Sequence, residues 1–300
     1  MSRQLFINAQ IYPDGQKAIL GGSLLVEDGI IKRLFYQNEN LEDVEIIDLK
    51  NASIIPSFFT YITIESADYY HLQKLEKDLN AKGVFDFVAV MVIDSLKDAQ
   101  LLTDFMNYEF TLVSCRGLHL IFKQSNLPMD IIAWLNKSKS ICSLTLPCDT
   151  KTELVAKLRE HMPVFFAQNA KKMHNVEVDG YWDLFNIENK VLMADANIIV
   201  TALLNSEGYI KIDNNISADN LKFLCRFHDH RYLLAEAKVK EYLNLGLDLI
   251  DIVNITSVNY YSLYKNGQRS GSLTKGKSAN FVVIDQNGEM AMKYREGKIQ

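Results

Sequence analysis

The chain lacks most of the short signatures that assign a function directly. Its 300 residues contain no glycine-rich phosphate loop, no dinucleotide fingerprint and no serine nucleophile elbow. The net charge is −5 and the basic residues are dispersed, which argues against a nucleic-acid footprint. No hydrophobic run approaches the ~20 residues of a membrane span, and Met1-Ser2-Arg3-Gln4 leads into too short an apolar stretch for a secretory signal core. Cysteine is scarce. Cys115, Cys142, Cys148 and Cys225 lack C-x-x-C spacing and sit inside apolar runs, so they read as buried reduced thiols and point to the cytoplasm.

What is present is core-forming material in two textures. A hydrophobic content of 48% is enough for one large domain, or one large and one small. The first fifty residues read as all-β. Leu5 to Ile11 ends in the turn Pro13-Asp14-Gly15; Ser23 to Glu27 meets the hairpin signal Asp28-Gly29 before Ile30 to Phe35; Val44 to Leu49 adds a strand. The C-terminus repeats this style, with strands over Asn280 to Ile284 and Met290 to Tyr294 around Asn287-Gly288. Between the ends, strands alternate with helical periodicity. Strands are expected over Phe85 to Ile93, Thr111 to His119 and Ser140 to Leu146, and helices over Asp94 to Tyr108, Met129 to Asn136 and Thr150 to His161. Such alternation predicts a parallel sheet with crossover helices.

One motif looks emptied of its chemistry. Pro56 to Glu65 reads P-S-F-F-T-Y-I-T-I-E and resembles P-G-F-I-D-x-H-x-H-G, the segment that opens the barrel of amidohydrolase-superfamily enzymes. The two metal-binding histidines fall on Ile62 and Ile64, and isoleucine has no lone pair to give. Further along, Gly271 to Asp285 follows G-x-L-x-x-G-x-x-A-D-F-V-V-x-D, a tail shared across that superfamily, and Leu245 to Tyr264 resembles its late helix. Interior matches narrow the resemblance to the N-acetylglucosamine-6-phosphate deacetylase family. Arg116 to Phe122 resembles G-x-H-x-E-G-P, keeping the histidine as His119 and placing Ile121 at the metal-binding glutamate. Trp182 to Asn186 resembles T-H-L-F-N, with Asp183 at the metal-binding histidine. The H-H-R that serves substrate and phosphate becomes Leu192-Met193-Ala194. Tyr209 to Asn215 resembles I-I-A-D-G-x-H, whose substrate-contacting histidine falls on Asn214 or Asn215. Leu233 to Ala237 resembles L-V-T-D-A, whose catalytic aspartate becomes Glu236. The histidine of G-H-S-N-A maps to Ala167-Gln168.

The resemblance implies an α/β fold: a distorted, shortened TIM-like (β/α) barrel over 56–267, and a small β-sandwich made from 1–55 and 268–300. It implies shortening because the long segment between T-D-A and the late helix is missing. Family enzymes hydrolyse the N-acetyl amide with a divalent metal such as zinc or iron, and are commonly dimeric. With Ile62, Ile64, Ile121, Gln168 and Asp183 at the ligand positions, no metal cofactor is expected here. Without an ion, clustered carboxylates repel, and buried unpaired charge costs several kcal/mol. Isoleucine removes that cost and contributes on the order of 2 kcal/mol of burial per side chain. The losses therefore hang together as the relaxation of a dead centre.

The remaining candidates are few. Glu236 keeps acidity at the catalytic position, but its longer side chain displaces the carboxylate by about 1 Å, a shift that can cost about a hundredfold in rate. Asp183, Asp213, Asn215 and His119 are candidate substrate-binding groups; the two aspartates equally suit ion pairs or solvent, and His119 a hydrogen-bonded core position. His228-Asp229-His230 maps to a turn on the non-catalytic face of a barrel, and Lys171-Lys172 to a surface loop. Two functions are expected to compete: a pseudoenzyme that binds an amino-sugar phosphate or a protein partner, as a homodimer or with an active paralogue; or a hydrolase with a remodelled site built on Glu236, Asp183 and Asp213.

Overall fold

The computed structural model of the chain describes residues 2–94, 96–108, 111–125, 141–147, 149–167, 180–182, 209–212, 221, 231–234, 238–263 and 270–300. In chain order its strands are β1 (Arg3–Ile11), β2 (Ile19–Glu27), β3 (Ile30–Phe35), β4 (Glu45–Asp48), β5 (Ser53–Pro56), β6 (Phe58–Thr63), β7 (Val84–Ile93) and β8 (Cys115–Phe122). Then follow β9 (Ile141–Leu146), β10 (Val164–Ala167), β11 (Gly180–Trp182), β12 (Tyr209–Ile212), β13 (Arg231–Leu234), β14 (Phe281–Ile284), β15 (Met290–Arg295) and β16 (Lys298–Ile299). The chain divides into two compact units, Met1–Phe59 with Ala81–Phe85 and Glu236–Gln300, and Thr60–Asn80 with Asp86–Ala235.

In the first unit the two chain ends build one sheet in the order β16-β15-β14-β5-β1-β2-β3, with β4 also paired to β1. The sequence reading expects a sandwich here. The ladder instead runs without a break, because β1 pairs with β2 along one edge and with β4 and β5 in succession along the other. The Asp28-Gly29 turn between β2 and β3 has positive φ at both residues (50° and 75°), as a right-twisting two-residue hairpin requires. A Cβ on Gly29 would also stand 2.7 Å from the backbone carbonyl carbon of Glu296. The inward side chains form one apolar cluster centred on Phe6, Phe281 and Tyr294. Phe6 meets Phe281 and Tyr294 edge-on at 5.1 and 5.2 Å, and those two stack at 4.7 Å.

The late helical segments, Val239–Asn244, Leu249–Val253 and Asn259–Leu263, with a π-helical turn at Asn254–Val258, belong to this first unit. The sequence reading places them in the barrel. Their ties explain the difference: Asn254 Nδ2 donates to the Gly15 carbonyl at 2.8 Å, Ser257 Oγ donates to the Ser57 carbonyl at 2.9 Å, and Tyr260 stacks on Phe59 at 4.9 Å.

The second unit holds the other sheet, whose order β13-β12-β11-β10-β9-β8-β7-β6 is strictly consecutive. Its pairs from β7 to β13 are parallel. Helices Tyr69–Ala81, Leu96–Tyr108 and Thr152–Arg159 connect its early strands. Consecutive parallel strands joined by helices give the strand order of a (β/α) barrel. Strand β8 starts and ends later than the expected Thr111 to His119. Gln73 Nε2 donates to the Thr111 carbonyl at 3.1 Å and the Ser114 amide donates to buried Glu76, so helix Tyr69–Ala81 ties this stretch down. Among the described residues of the stretch, only the Ser114 carbonyl reaches β7, accepting from the Phe87 amide at 2.9 Å. Cys115 and Cys142 are half-buried rather than buried thiols; Cys148, Cys225 and the expected helix Met129 to Asn136 lie outside the described residues. Among the described residues no helix is long and apolar enough to cross a membrane.

Candidate functional site

In a parallel sheet, residues opposite one another share a face, and successive residues alternate between faces. The register aligns Val90 with His119 and Ser143, and Val92 with Ile121, Thr145 and Phe165. These residues line one face. The other carries Met91, Leu120, Leu144 and Phe166, an apolar surface of the kind that helices cover.

His119 is the polar centre of the first face and is wholly buried. Its Nδ1 lies 2.7 Å from Ser143 Oγ and its Nε2 2.8 Å from Thr145 Oγ1. A neutral imidazole donates through one nitrogen and accepts at the other, and both hydroxyls can turn to match. The ring also meets Tyr61 of β6 at 5.6 Å and Phe165 of β10 at 5.8 Å. Strands two places apart are about 9–10 Å distant at the backbone. Rings that meet across that gap mark the concave side of a curled sheet.

The positions assigned to metal ligands do not all reach this face. Ile121 does, two residues beyond His119. The amide of Ile64 donates to the Val90 carbonyl at 2.9 Å, which sets Ile64 level with Met91 and Leu120 on the opposite face. Ile62 follows Ile64 by alternation. The β6 residues on the His119 face are Tyr61 and Thr63. Reading the motif against the pleat therefore involves an offset of one residue, and one residue exchanges the faces. Gln168, Asp183, Asp213, Asn215 and Glu236 lie outside the described residues, as do Asn214, Lys171, Lys172 and the stretch from His228 to His230.

A zinc or iron ion needs imidazole, thiolate or carboxylate donors converging on one point. Among the described residues, the strand ends of this face offer Thr63, Val92 and Ile121, and His119 already spends both nitrogens on Ser143 and Thr145. Among the described residues, no three His, Cys, Asp or Glu are placed to hold a metal. The described donor set does not fit such an ion.

Sequence motifs did not mark the layer above. The Lys123 amide donates to the Ile93 carbonyl at 3.4 Å, which carries the β7–β8 register one step past the strands and sets Asp94 opposite Lys123. Their ion pair measures 3.8 Å, and Gln124 Nε2 reaches the other oxygen of Asp94 at 3.4 Å. In the same loop Ser125 Oγ donates to Asp149, which follows β9, at 3.1 Å. After β6, Asp68 accepts from the His71 amide and the Ser66 hydroxyl, bonds that hold its carboxyl below the usual range. These are polar, exposed strand-end groups at the end of the sheet where barrel enzymes carry their sites. The signal that could have found them is the residue just past each predicted strand.

No protein-family model matches the sequence, and no curated protein is significantly similar to it. Solved structures are similar in fold along the whole chain. N-acetylglucosamine-6-phosphate deacetylase from Pasteurella multocida superposes with a TM-score of 0.78 at 13% identity, covering 99% of both chains. A mutant of the Mycobacterium smegmatis deacetylase, in complex with N-acetyl-D-glucosamine-6-phosphate, gives 0.78 at 12% identity over 100% of this chain and 99% of its own. The Thermotoga maritima deacetylase gives 0.73 at 14% identity over 98% and 99%. At such identities the likeness establishes architecture: the chain has the fold of the N-acetylglucosamine-6-phosphate deacetylases and of related amidohydrolase barrels.

Proposed function

We propose that this protein is a catalytically impaired relative of the N-acetylglucosamine-6-phosphate deacetylases, on a distorted and shortened form of their barrel, and that it binds an amino-sugar phosphate without hydrolysing it. The observation that carries the reading is a combination in one chain. Its fold follows those enzymes from end to end, while the described residues of the His119 face offer hydroxyl, aromatic and aliphatic groups and no cluster of ion donors. Hydrolysis of an amide in that family's manner requires a polarised carbonyl and an activated water, both of which a metal supplies. Among the described residues, the threonine, valine and isoleucine at the ends of β6, β7 and β8 supply neither. A binding protein of this kind acts in the cytoplasm as a homodimer or beside an active paralogue.

The test is acetate release from N-acetylglucosamine 6-phosphate with zinc, iron or manganese added. The expected result is a rate equal to the protein-free blank, together with measurable binding of the sugar phosphate. Robust metal-stimulated release would contradict the reading. It would point to a remodelled centre on Glu236, Asp183 and Asp213, and Glu236→Gln should then remove the activity without unfolding the chain.

A further inference from the structure

The concave face is closed at its floor. Tyr61, His119, Ser143, Thr145 and Phe165 are buried to within 4% of complete. A ligand cannot descend between them and has to be held by the layers above. Val92 and Ile121, both half-buried, form the next layer of β7 and β8, and the extended register puts Asp94 and Lys123 directly over them. From this placement we infer that Asp94 and Lys123, with Gln124, form the polar contact of the ligand site and engage the hydroxyls of a sugar-type polyol lying on Ile121 and Val92. The inference deepens the proposed function and rests on it.

Three features favour a ligand contact over an ordinary surface pair. Asp94 and Lys123 come from two successive strand-end loops and meet over the His119 face, while Gln124 approaches the second oxygen of the same carboxylate. Their contacts, at 3.8 and 3.4 Å, are long for hydrogen bonds, and the side chains of Asp94 and Lys123 remain 48% and 60% exposed. The carboxylate thus keeps acceptor sites and the ammonium keeps donors. Exposed pairs of this kind contribute little to folding, so stability does not explain their convergence. A carboxylate, an amide and an ammonium around an aliphatic lip are the groups that a ring with polar edges and an apolar face can use together.

The test is calorimetric titration of the full-length protein with N-acetylglucosamine 6-phosphate and with N-acetylglucosamine. The variants are Asp94→Asn, Lys123→Met and, as a surface control in the other unit, Lys240→Met. Expected are binding by the wild type, a loss of tenfold or more in affinity for each of the first two variants at unchanged melting temperature, and no change for the control. Wild-type binding with Asp94→Asn and Lys123→Met unaffected overturns this inference and leaves the proposed function standing. Failure of the wild type to bind either sugar overturns both.

Discussion

The two units organise their interiors by different rules. In the first, Phe6, Phe281 and Tyr294 interlock edge-on and stacked, and the one polar atom of the trio, the Tyr294 hydroxyl, donates to Gln4 Oε1, whose amide nitrogen reaches Glu45 at 2.8 Å. In the second, the concave face is built around an imidazole held by two hydroxyls. The first interior is stabilised mainly by apolar burial; the second depends on hydrogen-bond satisfaction. A catalytic face leaves donors open to its substrate. Here the floor of the corresponding face is closed by its own partners.

The largest effect that would break this contrast is in the aromatic core. Phe281→Ala should destabilise the first unit by about 3–5 kcal/mol, the range for a buried aromatic truncated to alanine, as read by chemical denaturation. If the second unit stays folded under those conditions, the two interiors are also energetically separate. Next comes His119→Leu, which leaves the Ser143 and Thr145 hydroxyls facing an aliphatic side chain. A loss of about 1–3 kcal/mol is expected, the cost of taking the imidazole from the buried Thr145 hydroxyl, while Ser143 Oγ keeps its contact with Cys142 Sγ at 3.8 Å. A triple variant carrying His119→Leu, Ser143→Ala and Thr145→Val should recover part of it, because the hydroxyls that bonded the imidazole are then replaced as well.

A third prediction uses pH. Burial first, and the Glu45 carboxylate second, push the Tyr294 phenol up to about 12. The folded state thus holds this proton more tightly than the unfolded chain, whose phenol titrates near ~10. The stabilisation is fully present below pH ~10 and is lost as pH rises toward ~12. The shift corresponds to about 2–3 kcal/mol at 1.36 kcal/mol per pK unit. Urea denaturation at pH 9 and pH 12 should show the stability difference between wild type and Tyr294→Phe shrinking by that amount. A constant difference would remove the phenol from the account.

The smallest effect concerns Ser57. It stands where the related motif has glycine, and its Oγ is wholly buried and has no hydrogen-bond partner among the described residues. Ser57→Ala should therefore be neutral or stabilising by about 1 kcal/mol in a thermal melt, because a desolvated hydroxyl is removed and no bond is lost.

Local patterning made much of the architecture legible. The Asp28-Gly29 hairpin, strand β3 and the consecutive strand–helix units follow from turn chemistry and periodicity alone. The misplacements have a common cause in long-range contacts. The Thr111–Ser114 stretch has strand-like residues, yet Gln73 and Glu76, 38 residues earlier, take the Thr111 carbonyl and the Ser114 amide. The late helices read as barrel until their ties to Gly15 and Ser57 are seen. At the candidate site, the resemblance pointed to the Pro56 to Glu65 strand but not to the face on which each residue lies, since a one-residue offset is invisible without the register. Asp94 and Lys123 belong to no motif; only the extension of the β7–β8 ladder brings them together.

The central claim is that the chain keeps a deacetylase fold without its ion. The most direct measurement is the metal content of the purified protein, by elemental mass spectrometry after growth with zinc, iron and manganese. The account predicts less than about a tenth of an equivalent, because affinity depends on the ligand set. A stoichiometric metal that survives dialysis would contradict it.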